Sequence, residues 1–164
     1  MSTSTAVTPS IQSGIASRVL REGYGPGAWH GADLKAALAD VSPALAFRRP
    51  GAGRHNIAEI ALHHAYCVRN VRARLSGSDA EPFVLTGEDW FDLDSESTLT
   101  WRTVHATVDA EQQQLGNLIA AIEAGTAVSP VSDSERFDVV LGITCHAIYH
   151  AGQVQLIKRL LQGV

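Results

Sequence analysis

The chain has 164 residues, of which 45% are hydrophobic and 18% charged, with a formal net charge of −4. That length suits one domain with a substantial core, and the charge sets up no strong field for nucleic acid or membrane. Cys67 and Cys145 are the only cysteines, too few for a disulfide framework, so a reducing cytoplasm is the expected location.

The start, Met1 to Thr5, lacks the basic and apolar regions of a secretory leader, and no apolar run approaches the ~20 residues of a bilayer span. Residues 1–9, rich in Ser and Thr and ending at Pro9, read as a frayed terminus, and residues 10–164 as a single domain. Ile11, Ile15 and Val19 predict a first helix, stopped by the Gly23-Tyr-Gly-Pro-Gly27 turn sequence. Leu34, Ala37 and Leu38 mark a short helical piece, and Ser42-Pro43 an N-cap followed by proline at the first helical position.

A second long helix is expected from about Asn56 to Leu75, where Ile57, Ile60, Ala61, Val68, Val71 and Leu75 recur at helical spacing before Gly77. Residues 78–96 form a connection long for a bundle, whose Trp90-Phe91 pair is expected to pack down. The third helix, about Ser97 to Ala124, repeats apolar residues from Trp101 to Ile122. The fourth starts at a capping box, Ser132-x-x-Glu135, and carries a stripe of Val139, Ile143, Ile157, Leu160 and Leu161. Four amphipathic helices without strand periodicity predict an all-α four-helix bundle, with short extra helices and a long connection between helices two and three.

The chemistry-bearing pattern is Cys145-His146-Ala-Ile-Tyr-His150-Ala-Gly-Gln153. Histidines four apart on a helix lie about 40° apart on one face, here inside the apolar arc. An unsatisfied buried polar group costs on the order of 1–3 kcal/mol. One divalent ion satisfies both rings, as would separate hydrogen bonds to a neighbouring helix. Helix two offers His63 and His64. Periodicity centres His64 in the stripe of Ile57, Val68, Val71 and Leu75, and puts His63 about 100° away, near Cys67 and Arg74.

The run Ile57-Ala-Glu59-Ile-Ala-Leu-His63-His64-Ala-Tyr66, together with Gly142 to Arg159 and Ala28-Trp-His-Gly31, resembles the DinB (damage-inducible) family, also called the DinB/YfiT-like metalloenzymes. The likeness covers most of the chain from about residue 11. It implies a metal-binding helical bundle in which the I-x-E-x-x-x pattern selects His63 as first ligand, with His146 and His150 completing the set. His64 then stands at a usually aliphatic position, and Cys67 where related sequences often carry Trp. The resemblance also implies a homodimer, and relatives that transfer low-molecular-weight thiols such as bacillithiol or mycothiol, or act as hydrolases.

Three neutral histidines leave a position for water, the arrangement of catalytic rather than structural zinc. Zinc and nickel are the first choices, with iron or manganese as alternatives, because imidazole suits several divalent ions. Glu59, Gln153 and His64 are candidates for orienting a ligand or serving the reaction. Glu59 could equally be a solvated helix charge, and Tyr149 is a weaker candidate than either. His30, His55 and His105 lack a histidine at helical spacing and are expected to cap or to bond locally.

Repeated Glu-x-x-His pairs, a Gly-x-Ser-x-Gly elbow and a Gly-rich phosphate loop are all absent from the sequence, which removes di-iron, serine-hydrolase and nucleotide readings. Arg48, Arg49, Arg54, Arg69, Arg72 and Arg74 could form a basic rim for an anionic substrate or simply a solvated face. The expected function is a metal-dependent transferase or hydrolase acting on a small molecule, with thiol transfer preferred and without nucleic-acid or membrane partners. The alternative is a non-catalytic stress-response protein that binds a metal or ligand.

Overall fold

The computed structural model describes residues 14–163. The stretch 1–9, expected to fray, and Ile11 of the expected first helix lie outside the described residues. Six helices follow in order: α1 (Ile15–Gly23), α2 (Leu34–Leu38), α3 (Pro43–Ala46), α4 (Ile57–Ser76), α5 (Trp101–Glu123) and α6 (Asp133–Gln162). The protein is all-α, and no strand occurs among the described residues.

Local chemistry sets the helix ends. The Asn56 side chain accepts from the Glu59 amide at 2.9 Å, while the Glu59 carboxylate accepts from the Asn56 amide at 3.2 Å, a reciprocal cap. α4 ends at Gly77, whose φ of 70° is left-handed; a Cβ there would lie 2.8 Å from the Pro130 ring. Ser132 caps α6 through the Glu135 amide at 3.3 Å. The Glu135 side chain, expected to complete that box, instead takes Arg74 of α4 at 2.5 Å.

α4 packs on α5 and α6, and α1 on α6 and α5, so the four longer helices close a bundle; α2 lies against α6 and α3 beside α4. One apolar cluster gathers Ile60, Ala61, Leu62 and Ala65 of α4 with Phe91, Trp101, Ala147 and Val154. A second gathers Leu20, Val68, Leu75, Leu115, Ile119, Val140 and Ile143. The clusters meet between Ala65 and Val68 on α4 and between Ile143 and Ala147 on α6. His146 falls at that seam, and His64 stands one residue before it on α4.

Three expectations shift. In α1 the buried face is Ala16, Leu20 and Gly23, one residue beyond the expected stripe, and Ile15 is exposed. α5 starts at Trp101 instead of Ser97, because Thr100 caps the Thr103 amide and Glu96 Oε1 accepts from the Trp101 amide at 3.0 Å. In α6, Leu160 is 63% exposed; the inward face runs through Val140, Ile143, Ala147, Val154 and Ile157.

Residues 77–100 carry no helix. Phe91 and Leu93 anchor this connection in the core, while Trp90 stays 37% exposed. No helix of the described residues is long and apolar enough to cross a membrane.

Candidate metal centre

Four histidine rings from α4 and α6 converge. His63 Nε2 lies 3.1 Å from His146 Nε2, and His150 Nε2 lies 3.1 Å from that same nitrogen. His64 meets the opposite side of the His146 ring, Nδ1 to Nδ1 at 3.0 Å. The two neighbours on α4 thus both reach one ring, because that ring presents a nitrogen on each side. His63, His64 and His150 are buried, and His146 is partly so.

The outer nitrogens of two rings are committed. Asp89 presents its backbone carbonyl and its carboxylate to His63 Nδ1, each at 3.0 Å. Both are acceptors, so the His63 proton sits on Nδ1 and Nε2 offers a lone pair. Asp89 adopts φ 62°, a left-handed conformation that aspartate tolerates better than most residues. His150 Nδ1 donates to Gln153 Oε1 at 2.6 Å, and Gln153 Nε2 donates onward to the Tyr149 hydroxyl at 3.1 Å. Its Nε2 therefore also carries a lone pair.

Burial holds His146 and His150 down to about 4, helped by the charge of neighbouring rings, although the Gln153 bond opposes this for His150. His64 is driven well below the usual imidazole value, first by complete burial and then by the three other rings. Neutral imidazoles are the form that ligates metals.

A divalent cation fits this donor set on proton accounting alone. His146 Nε2 faces two lone pairs, and a single proton there could satisfy only one of them. A cation would serve all three nitrogens, with the outer N–H groups of His63 and His150 already held by acceptors in the manner usual for metal-bound histidine.

Cys67, one turn after His63, adds a donor that the sequence pattern did not single out. Its Sγ lies 3.9 Å from His63 Nε2, and ligand atoms of His63, Cys67 and His146 all lie within 4.8 Å of one another. The signal was present in the i,i+4 spacing of His63 and Cys67 on one helix face. Burial and then the Asp89 charge raise the thiol to about 11.

Glu59 does not reach the four clustered histidines; its contacts lie one step further out. Its buried carboxylate takes Arg49 at 2.5 and 3.0 Å, the Leu93 amide at 3.0 Å and His55 at 3.0 Å. These bonds pin the connection that carries Asp89 and Trp90 over the site. Trp90 lies between His55 and His63, stacked on each at centroid separations of 3.8 and 3.9 Å.

The remaining candidates are engaged elsewhere. His30 Nε2 bonds the Glu22 carbonyl at 2.8 Å, and His105 sits 3.3 Å from Asp109. Three of the six arginines pair with carboxylates: Arg49 with Glu59, Asp92 and Asp94, Arg72 with Glu81 and Glu111, and Arg74 with Glu135, while Arg48 and Arg69 bond backbone carbonyls. A groove of about 800 Å³, lined by Tyr24, Lys35, Asp109 and Gln112, includes none of the four clustered histidines.

An all-helical fold with a partly buried His/Cys cluster spaced as a metal site would be defines the class of this protein. The family model of the DinB superfamily matches residues 28–154, and the chain belongs to that superfamily. No curated protein and no solved structure matches it.

Proposed function

We propose that this chain is a metal-dependent enzyme, holding one divalent ion through Nε2 of His63, His146 and His150 and acting on a small molecule by thiol transfer or hydrolysis. The supporting observation is that His146 Nε2 lies 3.1 Å from two nitrogens whose protons are committed elsewhere. Zinc and nickel suit three imidazoles best, followed by iron or manganese. The ion would lower the pKa of a coordinated thiol or water.

The chain itself supplies orientation. Asp89 and Gln153 hold the rings of His63 and His150, and Trp90 covers His63 from solvent. In the thiol version, sulfur bonds to an electrophilic carbon, the leaving group departs with its electron pair, and the thiol proton passes to solvent. Two unpaired cysteines suit a cytoplasmic setting. In this reading a second copy would pack on α6, where Phe137, Leu141, Tyr149, Leu156 and Leu160 are exposed.

Elemental analysis of wild type beside His63→Ala, His146→Ala and His150→Ala tests the ligand set. One ion per chain, lost in each variant, is expected, together with accelerated thiol conjugation by the loaded wild type. Wild type without an ion, or no acceleration across several thiols and electrophiles, overturns it.

One observation favours a second reading. Cys67 lies close enough to His63 and His146 to close the shell with a fourth protein donor, as in structural sites. The ion would then lock α4 to α6 in a non-catalytic binding protein. A large melting shift on chelation with no exchangeable ligand position distinguishes this case.

A further inference from the structure

The deeper of the two α4 histidines has no place in the ligand set. His64 is fully buried, and its Nδ1 sits 3.0 Å from His146 Nδ1. The two nitrogens need one proton between them. Its other nitrogen, Nε2, is buried with no hydrogen-bond partner among the described residues. A position beside an apolar seam would be filled more favourably by an aliphatic side chain unless the ring does something that a hydrocarbon cannot.

Proton placement on the neighbouring rings says what that is. The protons of His63 and His150 sit on their Nδ1 atoms, against Asp89 and Gln153. If His146 Nε2 is to offer a lone pair beside theirs, the His146 proton must lie on Nδ1, where His64 Nδ1, at 3.0 Å, is the acceptor that faces that N–H among the described residues. His64 then carries its own proton on Nε2, as the unpartnered buried N–H.

We propose that His64 is a positioning residue: its Nδ1 accepts the His146 Nδ1–H, fixing the tautomer and the ring angle that aim His146 Nε2 at a divalent ion. It plays for His146 the part that Asp89 plays for His63 and Gln153 for His150. All three rings are then held by an outer acceptor, each from a different kind of group. The inference rests on the ligand set proposed above and adds a residue to it.

Two variants separate positioning from mere packing. His64→Leu fills the volume with hydrocarbon and removes the acceptor along with the orphan nitrogen. His64→Asn is the conservative replacement, since asparagine Oδ1 stands at the same branch point as histidine Nδ1. Binding of Co(II) alone to full-length protein is measured by chelator competition, beside its ligand-field spectrum and the melting temperature of the metal-free form. Outer-shell partners of this kind are worth 10–100-fold in metal affinity.

The expected result is a 10–100-fold loss in His64→Leu without a lower metal-free melting temperature, recovery to within about threefold of wild type in His64→Asn, and an unchanged nitrogen-ligand spectrum in both. Equal affinity in His64→Leu overturns the positioning role and leaves the ligand set standing. Equal losses in Leu and Asn that track melting temperature overturn it in favour of packing. Loss of a nitrogen ligand from the His64→Leu spectrum makes His64 itself a ligand and overturns both. Wild type that binds no Co(II) removes the ligand set first.

Discussion

Arg49 and Glu59 meet in a two-point ion pair, Nη2 to Oε1 at 2.5 Å and Nη1 to Oε2 at 3.0 Å, with the carboxylate buried and the guanidinium partly open. Burial alone would raise the Glu59 pKa; bonds from Leu93, His55, Arg49 and Asn56 outweigh it and leave the group below the ordinary value. Glu59→Ala strands the Leu93 and Asn56 amides and one face of Arg49. A loss on the order of 3 kcal/mol is expected in denaturant unfolding, at the low end for a broken buried pair because Arg49 retains water, Asp92 and Asp94. The connection loosens with it, so metal affinity should fall as well. A loss under about 1 kcal/mol would mean that the network does not anchor the connection.

The neutral histidine cluster makes the metal-free protein sensitive to acid. Burial pushes His146 and His150 down to about 4 in the folded chain, against the ordinary imidazole value of 6.5. Between those values the unfolded chain binds more protons, so stability rises with pH across the window, is complete above 6.5 and is lost toward 4. The limiting slope is about 1.4 kcal/mol per pH unit for each proton, and His146, being partly exposed, contributes the smaller share. Melting temperatures of chelated protein should be level from pH 8 to 7 and decline from 6.5 to 5, and added zinc should move the decline to lower pH. A flat profile down to pH 5 contradicts the buried neutral cluster.

Trp90 reports on the site. It stacks on His63 at 3.9 Å, whereas Trp29 is exposed and Trp101 is buried with its Nε1 on the Val41 carbonyl. Cobalt or nickel held by His63 should quench the Trp90 part of the emission, and Trp90→Phe should abolish that quenching while leaving binding intact. Removing the stack altogether in Trp90→Ala should cost about 1 kcal/mol. Quenching that survives in Trp90→Phe would place the ion near another tryptophan.

The helices were legible because their signals are local: Asn56, Ser132 and Gly77 stop or start helices through their own backbone chemistry, and apolar spacing followed. Asn56 and Glu59 carry the same local signal as Ser132 and Glu135, yet only the first pair closes a reciprocal cap, because Glu135 turns to Arg74. The i,i+4 pair His146 and His150 was visible, as was an ambiguity between His63 and His64. Periodicity could not resolve it, since both are buried and both touch His146. The contributions of Asp89, Trp90 and Arg49 were hidden, because a connection without periodic pattern does not declare where it folds back.

The two thiols differ in exposure and in reactivity. In metal-free protein Cys67 is held near 11 by burial and by the Asp89 charge, and Cys145 is exposed. Because the thiolate is the reactive form, a disulfide reagent at pH 7.5 should label Cys145 quickly and Cys67 at least about tenfold more slowly. If three imidazoles hold the ion, cobalt-loaded protein should lack a sulfur-to-cobalt charge-transfer band, and Cys67→Ser should leave its spectrum unchanged. Metal should then slow Cys67 labelling only by shielding. A charge-transfer band lost in Cys67→Ser would instead put the thiolate on the ion, closing the shell and turning the assignment from catalysis to structure.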